Sequence, residues 1–394
     1  MLPPWIVALA VILVLQTAAA FLTRLIPVAS PAFMAEFGWD QSWIGYLSAA
    51  NLAGALVLLL AGVELLRRIG YVLAFQATLI VGALSLVLFH VPSLTVALFA
   101  SALVGLSHAA ANPAGAEVLQ RFTPEARRNL VFSIKQAGVP LGGVVAGLTI
   151  PPLIGIYGWR TALLIAAAGA VVVTILMLPF RSRIEAPHEA KLAPRMRIDL
   201  AVPLRALKTA PGLPRIAAVG VALSVGQSSW FTFAMAYLVI VHGLSLAVAG
   251  LVFAVMQAFG VAGRIAAGWI ADRIGSVVTL AAMAALSGTF TILFALFRPE
   301  WPLWSLILLA ACAGATVAGW NGVEIAEVAR RSPRHLIGET AAGNTILIYL
   351  INMIAPTAFA AFVAATGRFD LAFMIAAACC WLSLPLLWGV DRRL

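Results

Sequence analysis

Of 394 residues, 63% are hydrophobic and 10% are charged, against the roughly 25% charged residues of a soluble globular domain. That balance excludes an ordinary soluble protein and reads as an integral membrane protein. The formal net charge of +10 would argue for nucleic acid in a soluble chain, but here the basic residues must first be placed relative to a bilayer.

The opening run, MLPPWIVALAVILVLQTAAAF, has no basic segment before it and is too long for a signal-peptide core, so it is expected to be a retained span. A crossing takes about 20 apolar residues, and the pattern predicts twelve, at residues 5–30, 41–64, 71–91, 93–116, 129–154, 159–180, 216–241, 246–270, 276–297, 301–326, 337–364 and 371–390. Runs this long and uniform do not suit barrel strands, so all are expected to be helices and the fold all-α.

Taken in order, the first span carries Arg24 in FLTRLIPVASP, near its outer end. The fourth carries His108 and Asn112 in SHAAANPAG and closes on Glu117. The fifth holds SIKQAGVPLGG, residues 133–143, with one of only three lysines in the chain, Lys135, about 9 Å deep if the helix begins near Asn129. Its neighbours Gln136, Gly138, Pro140, Gly142 and Gly143 suit a helix face packed on protein rather than lipid. After a basic, proline-containing stretch, 181–215, the seventh span offers Gln227 and Trp230 in GQSSW. The eighth offers Arg264, about 12 Å from Asp272. The tenth has Trp320, Asn321 and Glu324 with Glu327 at its end, and the eleventh has Asn344. Cys312, Cys379 and Cys380 fall in apolar runs without metal-type spacing, so no metal or cofactor is expected.

Loop charges orient the array. With the N-terminus cytoplasmic, the inner loops and tail hold 19 of the 25 basic residues; Arg160, Arg298 and Arg368 lie outside, and Arg24, Lys135 and Arg264 within spans. Both termini are therefore expected in the cytoplasm of a cell, or inner, membrane protein. Topology thus accounts for most of the positive charge, and no nucleic-acid partner is expected.

The chain also repeats itself. IGYLSAANLAGALVLLLAGVELLRRIG (44–70) aligns without a gap to AGLVFAVMQAFGVAGRIAAGWIADRIG (249–275), and AEVLQRFTP (116–124) matches AEVARRSP (326–333) with one deletion. Two six-helix bundles follow, 1–180 and 216–394, joined by a cytoplasmic linker over 181–215. Such duplication is the construction of secondary transporters.

GWIADRIGS (268–276) resembles the signature of the major facilitator superfamily, with Gly268, Asp272, Arg273 and Gly275 in its fixed places. The first-half copy, VELLRRIG, has Arg67 at the aspartate place and Val63 at the glycine place. GWNGVEIAEVARRSP (319–333) and GWR (158–160) are also similar to that superfamily. The resemblance implies two bundles rocking about a central site, spans 1, 4, 7 and 10 lining the cavity and spans 2, 5, 8 and 11 meeting between halves. It implies gating by Gly268, Asp272, Arg273 and Gly275; Glu117 and Glu327, matched across the repeat, join them as partners of cytoplasmic arginines.

Two intramembrane cations, Lys135 as a point charge and Arg264 as a bidentate fork, are expected to clamp one carboxylate. Arg24 is a third cation; Gln136, Trp230, Asn112, Asn321 and Asn344 would supply the polar contacts of a small-molecule site. Arg264 has the bland alternative of pairing with a helix-end carbonyl or with Glu324, Lys135 that of snorkelling, and Arg24 that of an interfacial anchor. Glu324, without an acidic counterpart in the first half, is the proton-site candidate.

No HExxH, GxSxG, Walker A loop or intramembrane aspartate pair occurs, so neither an enzyme nor an ATP-driven pump is expected. The character is nearest to the organic-anion branch of the superfamily, the oxalate/formate and monocarboxylate-like porters, in which an arginine of the eighth span is placed like Arg264. The expected function is alternating-access transport of a small organic anion, as proton-coupled uptake by a monomer in the lipid bilayer. The alternatives are exchange against a counter-anion or, because GVPLGG loosely resembles the glycine-proline motif of drug/proton antiporters, export of a small molecule.

Overall fold

The computed structural model describes residues 3–40, 42–61, 69–124, 128–185, 201–333 and 336–390. Among them the fold is all-α, without strands. The helices are α1 (Pro4–Phe37), α2 (Trp43–Ala61), α3 (Tyr71–Ser85), α4 (Leu94–Ala109), α5 (Ala111–Phe122), α6 (Arg128–Ile184), α7 (Ala201–Ala206), α8 (Leu213–Ala236), α9 (Leu246–Ile274), α10 (Ser276–Ala295), α11 (Leu303–Val317), α12 (Asn321–Arg331), α13 (Ile337–Thr366) and α14 (Phe369–Leu387). Ten described segments are long and apolar enough to cross a membrane, and Trp43–Leu59 is a shorter apolar helix. One of the ten, Ile134–Ile184, turns at Gly158 and is long enough for two crossings; with the shorter Trp43–Leu59 counted, the segments correspond to the twelve expected spans.

Four spans depart from the simple expectation of separate, unbroken helices. The fifth and sixth run together as α6, bent where Gly158 takes φ 77°, ψ 161°, a backbone region open essentially to glycine alone. The fourth is interrupted between α4 and α5 at Ala110, and the tenth between α11 and α12 over 318–320. Pro113 explains the first break, because it lacks the N–H that would bond the Ala109 carbonyl and its ring crowds that carbonyl. No proline lies in the second.

Contacts divide the chain into two compact units, Met1–Met196 with Leu246–Ala254, and Arg197–Ser245 with Val255–Leu394. Within the expected linker, α6 continues to Ile184, residues 186–200 lie outside the described chain, and α7 belongs to the second unit.

The sequence duplication reappears in the backbone. Positive-φ glycines close equivalent corners: Gly38 (66°) and Gly243 (64°), Gly70 (95°) and Gly275 (92°), Gly158 (77°) and Gly367 (68°). Close helix contacts match as well, since Gly105 packs on the backbone of Asn51 and Gly314 on that of Met256. A side chain at either glycine would collide with a carbonyl, so small residues set helix approach where no aqueous hydrophobic drive acts between lipid-embedded helices.

Each unit has its own polar or aromatic fastening. In the first, Glu185 accepts the N–H groups of Val72 (2.9 Å) and Leu73 (3.1 Å) and pairs with Arg181, capping the start of α3. At the opposite end of α1, Glu36 pairs with Arg160 and accepts the Trp159 indole N–H, beneath Phe33 and Phe37. The second unit is held by an aromatic cluster in which Trp230, Tyr237, Phe294 and Phe373 meet.

Candidate functional site

In the first unit α1 and α6 lie against each other through small residues. Gly138 faces Leu13 and Gln16, and Gly142 faces Thr17, Ala20 and Phe21. Gly138 and Gly142 therefore mark a packing face of α6, and Lys135 on the same helix is 3% exposed, with its side chain against Gly115. Lys135 Nζ donates to Gln136 Oε1 at 3.4 Å, and Gln16 Nε2 donates to the same oxygen at 3.2 Å.

Because α1 continues to Phe37, Arg24 lies about 20 Å from that end of the helix. The imidazole of His108 on α4 is within the electrostatic reach of both Arg24 and Lys135, and its Nδ1 has no hydrogen-bond partner among the described residues. Helices α1, α4 and α6 thus bring Arg24, His108, Lys135, Gln16 and Gln136 into one polar neighbourhood. Of the acids described in this unit, Glu36, Asp40 and Glu185 stand in turns or at helix ends, and Glu117 is an exposed residue in the middle of α5. Asn112 belongs to α5, but its side chain lies outside the described residues.

In the second unit polar groups gather where the tenth span is interrupted. Arg264 Nε donates to the Ala318 carbonyl at 2.9 Å, the oxygen that an unbroken helix would give to the N–H of Gly322. The guanidinium thereby stands in for a helical hydrogen bond. Beyond the break, Gln227 Nε2 donates to Asn321 Oδ1 at 3.1 Å, and Asn344 Nδ2 donates to Glu324 Oε2 at 3.1 Å. Glu324 is 1% exposed, sits beside Gly220, and its Oε1 has no hydrogen-bond partner among the described residues. Trp230 is fully buried, stacked on Phe294 at 4.0 Å, and its N–H goes to Thr291 at 3.0 Å. It is placed as a wall of the aromatic core.

The expected gating residues divide by unit. Glu327 is completely buried and receives Arg330 (2.6 Å) and Arg331 (2.5 Å), while its repeat partner Glu117 is exposed. Asp272 and Arg273 are exposed, with the Arg273 guanidinium 3.3 Å from the Trp269 ring centroid. Gly275 forms the corner before α10, and Gly268 has open space where a Cβ would stand. Val63 and Arg67, the first-half counterparts, lie outside the described residues.

Sequence reasoning missed Gln16 and the role of the Ala318 carbonyl. Gln16 was visible as the lone amide in VILVLQTAAAF. A backbone acceptor leaves no compositional trace.

The description Major Facilitator Superfamily matches residues 11–356. An uncharacterized MFS-type transporter of Mycobacterium tuberculosis (strain CDC 1551 / Oshkosh) is 30% identical over 57% of this chain and 49% of its own length. The 4-hydroxybenzoate transporter PcaK of Pseudomonas aeruginosa is 25% identical over 66% of this chain and 65% of its own. A class E tetracycline resistance protein of Escherichia coli is 32% identical over 32% of this chain and 28% of its own. The chain thus spans about half of the first relative's length, under two thirds of PcaK's and under a third of the tetracycline protein's. In fold, a bacterial homolog of the human lysosomal transporter Spinster, in an inward-facing and occupied conformation, superposes with a TM-score of 0.79 at 15% identity, covering 100% of this chain and 98% of that one.

Proposed function

Because the chain belongs to the major facilitator superfamily, we propose that it is a secondary transporter taking up a small organic anion by alternating access, with both termini in the cytoplasm. The observation that carries this reading is the pair of cations that α1 and α6 carry in the first unit, Arg24 and the buried Lys135. Such a neighbourhood attracts a carboxylate and repels a lipophilic cation. The 4-hydroxybenzoate transporter among the relatives supports an organic acid as cargo.

Coupling follows from the direction of transport. An inside-negative membrane opposes entry of a monoanion by roughly 2.3 kcal/mol per 100 mV, so uptake requires a co-transported cation or an outgoing anion. We assign the proton to Glu324, a buried carboxyl hydrogen-bonded through one oxygen only among the described residues.

The test is thermal unfolding of the purified protein with mono- and dicarboxylates, inorganic anions and cationic drugs. A ligand at about 100 times its Kd stabilises the folded state by roughly 2.7 kcal/mol. Carboxylates should raise Tm in the wild type and not in Lys135→Ala. A second reading, proton-driven export, draws on the tetracycline resistance protein among the relatives; stabilisation by cationic drugs alone would favour it and sink the anion reading.

A further inference from the structure

The polar relay in the first unit has a fixed sense. Lys135 Nζ lies 3.4 Å from Gln136 Oε1, and an ammonium turns the oxygen of a neighbouring amide toward itself, not the NH2. With Gln136 Oε1 so placed, the amide of Gln16 must present Nε2 to it, at 3.2 Å. Flipping Gln16 alone would set two carbonyl oxygens face to face. Flipping both glutamines would point an NH2 at the lysine. The remaining atom, Gln16 Oε1, is left as an acceptor, on a side chain 1% exposed, with no donor among the described residues. An amide oxygen buried without a donor carries a desolvation penalty of about 1–3 kcal/mol, which a ligand supplying a donor would relieve.

We propose that Gln16 is a specificity-determining residue: it accepts a hydrogen bond from a hydroxyl of the transported anion, so the substrate class is a hydroxy-carboxylate and not a plain carboxylate. This inference rests on the anion reading above. The carboxylate is drawn to the Lys135 and Arg24 charges, and the hydroxyl fills the one acceptor that the relay leaves over. A site built around such an acceptor discriminates strongly, because an analogue lacking the hydroxyl returns the oxygen to its unbonded state. His108 on α4 adds a second polar atom, its Nδ1, which has no hydrogen-bond partner among the described residues, so a ligand bearing more than one polar group finds partners here.

The experiment measures binding of two matched pairs, lactate against propionate and 4-hydroxybenzoate against benzoate, to the purified full-length chain by calorimetry. The wild type should favour the hydroxylated member of at least one pair by roughly tenfold or more. Gln16→Met, close in length but without the amide, should lose the discrimination, the ratio of affinities within each pair falling to near one. Carboxylate binding by the wild type with no preference in either pair overturns the inference and leaves the anion reading standing. An equal preference in wild type and Gln16→Met also overturns it. If the wild type binds no carboxylate at all, the anion reading falls and the inference falls with it. Should Gln16→Met fail to fold, as judged by circular dichroism, the wild-type ranking alone still decides.

Discussion

Truncating Arg264 removes the guanidinium that occupies the Ala318 carbonyl at the interruption of the tenth span. Arg264→Ala leaves that carbonyl buried without its donor and should lower stability by about 1–3 kcal/mol, read as an earlier unfolding midpoint in detergent. Arg264→Lys keeps a donor on a shorter, unforked head and should recover part of the loss. Full recovery of anion binding with the lysine would argue against any bidentate contact. Lys135→Ala is expected to behave differently, keeping the packing face of α6 on α1 while losing carboxylate stabilisation. The glutamates matched across the repeat separate just as clearly. Glu327 is fully buried against Arg331, whose side chain is itself 4% exposed, so Glu327→Gln takes the carboxylate out of a buried pair and should cost about 3–5 kcal/mol. Glu117→Gln alters an exposed side chain and should stay within about 0.5 kcal/mol. Equal losses at the two positions would refute the asymmetry.

At the level of helices and corners, the signature loop holds two glycines with opposite demands. Gly275 sits at φ 92°, ψ 148°, where any other residue costs about 1–3 kcal/mol, so Gly275→Ala should destabilise by that amount. Gly268 is mid-helix with nothing where a Cβ would stand, and Gly268→Ala should be neutral or gain up to about 1 kcal/mol. Chemical unfolding of the two variants checks this pair. Transport lost in Gly268→Ala at full stability would place that glycine in gating motion. The corner at Gly275 was legible because the repeat aligns it with Gly70, and the break in the fourth span had its cause in view at Pro113. The break in the tenth was not legible. Its sequence, ATVAGWNG, differs from that of an uninterrupted helix by glycines alone, and the group that satisfies its loose carbonyl comes from Arg264 on another helix.

Across the whole molecule, apolar run length was enough to reveal twelve crossings, because a lipid-embedded backbone leaves almost no alternative to helix. The length of the first helix was not legible, because FLTRLIPVASPAFMAEF reads as a span end at its prolines, whereas the helix continues through Pro27 and Pro31 to Phe37. In a membrane, the carbonyls freed by such prolines are re-satisfied by neighbours. The same economy of charge frames the coupling prediction. Glu324 stands in the first turn of α12, where the helix dipole favours its carboxylate, and accepts one hydrogen bond from Asn344, while burial opposes the charged form. A carboxyl held between these opposing influences can load and release a proton as the surroundings change, which a surface glutamate cannot do in step with transport. In proteoliposomes an inward proton gradient should therefore drive accumulation of the carboxylate. Glu324→Gln keeps the shape and the Asn344 neighbour but cannot titrate, so it should abolish gradient-driven accumulation while counterflow exchange continues. Uptake that ignores the proton gradient in the wild type and depends on an anion on the opposite side would make the protein an exchanger and Glu324 a packing residue.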